Sequence, residues 1–207
     1  MAAIVADANA SLNWLATAEP ELERVRETLV AIATDGHRAA DVIQRIRQLA
    51  TKTEPRKARL DVNDVVRDVV ALVRAEVARY EITLTLDAAA LLPPVVGDRI
   101  QLQQVVLNLV MNAIDAMAPV TDRPRKLVIR SERHDDDVVR VAVHDTGVGI
   151  RASDLDRMFS AFFTTKPSGM GMGLSISRSI IEAHGGRLWA APNEPDGAIF
   201  QFSLPAA

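Results

Sequence analysis

Two asparagines one helical turn apart, Asn108 and Asn112, stand in the run Gln104-Val-Val-Leu-Asn108-Leu-Val-Met-Asn112-Ala-Ile-Asp115-Ala-Met. Together with Gln101, Gln104 and Asp115 they recur at steps of three and four, which at about 100° per residue lays them along one polar stripe of a helix. Asp98, just ahead of the run, carries a side chain suited to cap its N-terminus. A solvated face is the plain alternative. Such faces usually recruit Lys, Glu and Arg, whereas asparagine inside a helix lowers propensity and competes for backbone hydrogen bonds. Short neutral oxygen ligands held on a rigid helix suit a hard cation such as magnesium and the phosphates it accompanies.

Asp145 is the second candidate. It ends a strand in which Val139, Val141 and Val143 share its face by the period of two. If those valines face the core, the carboxylate lies at the core's edge, where it is costly unless something donates to it. The amino group of a bound base is such a donor; the amides of the neighbouring loop are the alternative. Gly147 and Gly149 come directly after it and allow close backbone approach to a flat ligand. Further on, Gly169-Met-Gly171-Met172-Gly173-Leu174 precedes a helix, so its amides and the helix N-terminus can meet phosphate. Alone, that run equally describes a plain flexible loop. It is preceded by no strand, lacks the GxGxxG spacing and has no P-loop Lys-Ser/Thr, so neither a Rossmann nor a Walker site is expected. Between the glycine clusters lie Phe159, Phe162 and Phe163, three of the five phenylalanines, which suit a satellite core anchoring one end of a loop. Thr164-Thr165-Lys166 comes next, and Lys166 either carries positive charge to a phosphate or is simply solvated.

These groups need a scaffold, and the chain supplies two. Ile4, Ala8, Leu12 and Leu15 form a helical stripe over residues 3–18, broken at Glu19-Pro20-Glu21. A second helix is expected over about 21–52, with Leu22, Val25, Leu29, Ile32, Gly36, Ala39, Ile43, Ile46 and Ala50 alternating at three and four steps. Two helices cover little of such a seam, so a dimer forming four helices is the economical completion. The polar, basic, proline-broken stretch from Thr51 to Arg59 is the best boundary, which divides the chain into residues 1–54 and 55–207. Beyond it we expect a helix from Asp61 to about Arg79, a strand over Glu81–Asp87, a loop ended by Pro93-Pro94, and the asparagine-bearing helix. A hairpin of strands is expected over 126–134 and 138–145, then a helix through His184 and two closing strands over 187–191 and 198–204. Helices and paired strands interleave without a strict βαβ rhythm, which predicts an α+β fold: a two-layer sandwich on a mixed sheet, preceded by a helical hairpin.

Composition sets outer limits. The 207 residues are 48% hydrophobic, enough to bury a core for one medium domain and a smaller element. A net charge of −3 leaves no basic footprint for nucleic acid. The absence of cysteine removes disulfides and thiolate-ligated metals. No apolar run approaches the roughly 18 residues of a membrane span, and Met1 leads into no basic segment of the signal-peptide kind, so no membrane contact by this segment and a cytoplasmic location are expected.

Order and spacing join the motifs into one pattern, which resembles that of the sensor histidine kinases and, more broadly, the GHKL ATP-binding superfamily. Asn108-Leu-Val-Met-Asn112-Ala-Ile-Asp-Ala looks like the N box and Asp145-Thr-Gly-Val-Gly-Ile like the G1 box. Phe159-Ser-Ala-Phe-Phe-Thr-Thr-Lys166 looks like the F box and Gly169-Met-Gly-Met-Gly-Leu174 like the G2 box. The likeness covers nearly all of residues 57–207. It implies a Bergerat-type fold that binds ATP with Mg2+. Asn112 would hold the metal, with Asn108 turned toward metal or phosphates. Asp145 would accept from the adenine amine, with Gly147 and Gly149 lining the base. A lid over about 164–174, including Thr165, Lys166, Gly169, Gly171, Met172, Gly173 and Leu174, would cover the phosphates.

Superfamily members that hydrolyse ATP place Glu where Asn108 stands, and an amide cannot act as general base toward water, so Asn108 favours phosphoryl transfer. The implied activity is transfer of the ATP γ-phosphoryl to a histidine and thence to an aspartate of a response-regulator receiver domain, with a homodimer formed through the hairpin. Ala2-Ala-Ile-Val-Ala-Asp resembles the segment just downstream of the acceptor motif in such kinases, so Met1 is expected a few residues after the acceptor, which this chain lacks. His37, His134, His144 and His184 do not fit the acceptor pattern, and Gly197-Ala198 lacks the threonine that often stands after this glycine. The rival readings are a stand-alone ATPase of the superfamily and a non-catalytic dimeric module that docks a receiver.

Overall fold

The computed structural model describes residues 2–16, 21–29, 32, 57–135, 137–166 and 171–207. The chain divides into two compact units, Met1–Glu54 and Pro55–Ala207. In the first, α1 (Ala2–Leu15) leads on to helical residues 22–29. Trp14 lies under the Arg24 guanidinium, 5.8 Å from ring centroid to Cζ, and Val25 is buried. Leu12, Leu15, Leu22 and Leu29, all assigned to the apolar seams, are exposed in the single chain. The greater part of the expected seam, with Gly36, His37 and Ala39, lies outside the described residues.

The second unit is the two-layer α+β sandwich expected from the sequence. Five strands, β2 (Thr83–Ala88), β4 (Lys126–Asp135), β5 (Val138–Asp145), β6 (Arg187–Pro192) and β7 (Ala198–Pro205), form a sheet of order β2-β4-β5-β7-β6. The β2-β4 pair is parallel and the others antiparallel. Period-two alternation turns Ala198, Phe200, Phe202 and Leu204 of β7 into the core while Ile199, Gln201 and Ser203 face outward. The inward face packs on α2 (Val62–Arg79), α3 (Arg99–Met117) and α4 (Gly173–Ala183).

Helix α2 is rich in valine, a poor helix former, yet Val62, Val65, Val66, Val69 and Val73 are all buried, so burial of one face outweighs intrinsic propensity. Asp61 caps it by accepting from the Asn63 amide at 2.8 Å. Helix α3 presents Leu102, Val105, Val106, Leu109, Val110, Ala113, Ile114 and Met117 to the sheet. Its cap is Asp98, as expected, accepting from the amides of Ile100 at 2.9 Å and Gln101 at 3.1 Å. A cap of this kind contributes about 1 kcal/mol.

A two-stranded antiparallel ribbon of β1 (Ala58–Leu60) and β3 (Val95–Gly97) lies where the sequence pattern predicts linker and loop. Three residues are too few to display an alternation, so the pattern does not reveal it. Beside this ribbon the buried His184 links the two helices that carry the motifs. Its Nδ1 donates to Ile180 O at 2.7 Å, which leaves Nε2 to accept from the Asp98 amide at 3.0 Å. A Cβ on Gly97 would stand 3.0 Å from the same ring, so glycine is what the approach permits.

Candidate functional site

Asp145 closes β5 on the covered face of the sheet, only 1% exposed beside Val139, Val141 and Val143. The loop-amide alternative for its carboxylate holds for one oxygen only. Oδ1 accepts from the loop amides of Gly147 at 2.8 Å and Ala198 at 3.3 Å. Oδ2 is buried and has no hydrogen-bond partner, unlike every other buried side-chain nitrogen or oxygen among the described residues. An acceptor left open this way is costly in a folded protein unless a ligand completes it. Burial pushes the carboxyl up to about 6, against the opposing pull of the Gly147 and Ala198 amides. Ala198 reaches the carboxylate through its backbone amide alone.

The loop after Asp145 is fixed from behind. A Cβ on Gly147 would meet the Ala116 backbone at 2.8 Å, and Val148 donates its amide to Ala116 O at 3.1 Å, so the loop lies directly on the end of α3. Arg123 braces the same turn, donating to Thr146 O at 3.1 Å and Gly147 O at 2.8 Å. Gly149 has φ +76° and Gly197 φ +99°, and a Cβ on Gly197 would fall 1.9 Å from Asp145 O. Asn193 donates to that same carbonyl at 2.8 Å. Residues 147–151 and 192–197 line a shared groove. Arg123 and Asn193 escape sequence reasoning because each acts through a backbone carbonyl many residues away and carries no local motif.

The polar stripe of α3 is half-buried at Asn108 and Asn112 and exposed at Asp115. Asn108 is engaged with α4: its Nδ2 donates to the buried Ser177 Oγ at 3.0 Å, and a Cβ on Gly173 would stand 2.4 Å from its Oδ1. Asn112 Oδ1 and Asp115 Oδ2 both accept from the Lys166 ammonium, at 3.1 Å and 2.7 Å. Lys166 is therefore not merely solvated. Two hard oxygens meeting on one cationic atom fit the donor set that magnesium takes. Among the described residues no group of three or more His, Asp or Glu is arranged to hold a metal, so protein ligands at this point are few.

Of the remaining residues, Thr165 is exposed. Gly171 adopts φ +65°, where a Cβ would press on the Phe163 carbonyl at 2.4 Å. Met172 precedes α4 without a side-chain cap, and its carbonyl accepts from Ser175 Oγ at 2.8 Å. Among the described residues no side chain caps the first amides of α4, a geometry suited to an anion. Leu174 packs against the core, as do Phe159 and Phe163, while Phe162 is exposed with φ +67°. Gly169 lies outside the described residues.

A buried carboxylate with one open oxygen, glycines pressed against its backbone, and an asparagine helix beside a helix N-terminus make up the candidate site, and comparison with known proteins gives the family of the fold that carries it. The family model for histidine kinase-, DNA gyrase B- and HSP90-like ATPases matches residues 97–207, more than half of the chain, and the chain belongs to that family. Within it the chain is a histidine-kinase-like ATPase domain of the sensor-kinase kind. It is 35% identical to the sensor histidine kinase TmoS of Ectopseudomonas mendocina over all of this chain and 21% of that protein. It is 41% identical to the sensor protein FixL of Bradyrhizobium diazoefficiens over 92% of this chain and 37% of that protein. The chain therefore spans well under half the length of these relatives. Among solved structures, the catalytic domain of histidine kinase ThkA superposes with a TM-score of 0.64 at 36% identity, covering 72% of this chain and 95% of that one. ThkA in complex with the response regulator protein TrrA gives a TM-score of 0.77 at 27% identity, covering 99% of this chain and 58% of that one.

Proposed function

We propose that this chain is the ATP-binding catalytic region, with part of the dimerisation region, of a two-component sensor histidine kinase. The parent protein transfers the ATP γ-phosphoryl to a histidine and then to a receiver aspartate. The open Oδ2 of Asp145 carries the nucleotide reading: a buried acceptor at the core's edge matches the exocyclic amine of adenine, with Gly147 and Gly149 allowing the ring to approach. Asn112 would hold Mg2+, which when bound neutralises phosphate charge. Lys166 and the first amides of α4 add positive potential beside it. Asn108 offers no carboxylate to take a proton from water, which supports transfer over hydrolysis, and neither the stand-alone ATPase nor the non-catalytic module gains support from the relatives. The exposed leucines of the first unit support pairing through the hairpin, and the ThkA–TrrA complex supports a receiver as partner. No helix among the described residues is long and apolar enough to cross a membrane.

The chain itself is not a phosphoryl acceptor in this reading. Both ring nitrogens of His184 are engaged in the interior, and His144 lies on the open face of the sheet, away from Asp145. Two measurements test the proposal. Calorimetric titration with Mg-ATP should show Asp145→Asn losing at least about tenfold in affinity and Lys166→Ala only a few-fold, the difference expected between a desolvated contact and an exposed one; equal losses contradict the assigned roles. Incubation with γ-labelled ATP should leave no acid-labile, alkali-stable label on the chain, and such label would overturn the acceptor assignment.

A further inference from the structure

Asp115 is not explained by the proposed chemistry: a carboxylate one turn beyond Asn112 repels a polyphosphate. Its position becomes intelligible through Lys166, whose ammonium is 2.7 Å from Asp115 Oδ2 and 3.1 Å from Asn112 Oδ1. Three residues apart on α3, the two oxygens share one face and converge on a single positive atom. We infer that Asn112 and Asp115 form one cation seat, filled by the Lys166 ammonium in the nucleotide-free chain and handed to the divalent ion on nucleotide binding, so that Lys166 turns to the phosphates. This rests on the nucleotide reading for its second half only; the seat itself is defined by these three side chains.

The exchange is favoured by its cheapness. The Lys166 and Asp115 side chains are 39% and 47% exposed, so their ion pair is screened by solvent and its loss costs no more than about fivefold in affinity. The lysine stem is flexible and its three donors rotate freely, whereas Asn112 and Asp115 are fixed on a helix. A divalent ion gains from a carboxylate what a neutral amide does not supply. Asp115 also keeps the local charge balanced in the free state, holding the residue before the glycine-rich stretch against α3. The seat predicts a particular coupling: with Lys166 removed, Asp115 is a bare charge that welcomes a metal ion and resists phosphate.

The full 207-residue chain is titrated with Mn2+ alone, without nucleotide, and bound ion is monitored by electron paramagnetic resonance. Lys166→Met vacates the seat and should bind Mn2+ at least about fivefold more tightly than the parent. Adding Asp115→Asn should abolish that gain, and Asp115→Glu in the same background should retain part of it. In parallel, the Lys166→Met, Asp115→Asn double variant should bind metal-free ATP more tightly than Lys166→Met alone, because the bare carboxylate is gone. Equal Mn2+ affinity in the parent and Lys166→Met, or a gain that survives Asp115→Asn, overturns the seat. Failure of the nucleotide reading would register instead as absence of ATP binding to the parent, a result the bare-metal titration does not depend on.

Discussion

Replacing Asp145 by asparagine removes a charge that the fold holds at a cost, and the size of that cost is set by the carboxyl's displaced titration. Burial raises it from 3.8 to about 6. At about 1.36 kcal/mol per pKa unit, this is about 3 kcal/mol of stability withheld from the folded chain once the group is ionised. Proton linkage gives the sign. Between the two values the folded state holds a proton that the unfolded state has released, so stability falls as pH rises through that window and is flat above it. Asparagine does not titrate, so the variant loses this slope. It also leaves an amide where Oδ2 stood, but that penalty does not change with pH and cancels when two pH values are compared. Urea denaturation of parent and variant at pH 4 and pH 8 should therefore show the variant's stability relative to the parent rising by about 2.5 kcal/mol between them, most of the full span. Parallel curves would refute the assignment of a desolvated, ionisable carboxylate at the centre of the site. Since the same variant is expected to bind nucleotide poorly, a more favourable pH response would accompany a loss of function, the trade expected where a binding group is kept at the expense of the fold.

Other substitutions probe the support around Asp145. Gly197→Ala forces a side chain into a φ of +99° with its Cβ 1.9 Å from Asp145 O, and thermal denaturation should show a loss of at least about 2 kcal/mol. Arg123→Ala removes the donors that hold Thr146 O and Gly147 O. It should cost about 1 kcal/mol in denaturation and about three- to tenfold in nucleotide affinity, because the turn that must approach the base loses its brace.

The parts of this fold that declare themselves in sequence are those with a repeated spacing. The three-and-four steps of Gln101, Gln104, Asn108, Asn112 and Asp115 mark the helix and its polar face. The alternation of Val139, Val141 and Val143 predicts Asp145 on the buried side of β5, where it lies. The hidden features depend on pairs distant in the chain. Lys166 and Asp115 are 51 residues apart, and Asn108 and Ser177 are 69 apart, so no local pattern joins them. Asn108 is instructive. Its type suggests a ligand for metal or phosphate, and its carboxamide donates to Ser177 and closely faces Gly173, contacts that no local pattern announces. The sequence marks His184 as a helix end, which it is, and the tertiary structure adds the bond that ties this end to the cap of α3. The β1–β3 ribbon is unreadable for a different reason: its strands are too short for periodicity and are recognisable only by their partners.

The most direct test of the nucleotide site is base discrimination at Asp145. Isothermal titration of the chain with ATP and with GTP, each with Mg2+, presents the same phosphates with different groups at the base's edge. Adenine offers an amine to the open Oδ2, and guanine offers a carbonyl oxygen at the corresponding position, leaving two acceptors face to face without a proton between them. ATP should bind saturably and at least about a hundredfold more tightly than GTP, with the preference lost in Asp145→Asn. Equal affinities for the two nucleotides, or a preference for ATP that Asp145→Asn leaves intact, would contradict the assignment of Asp145 to the base.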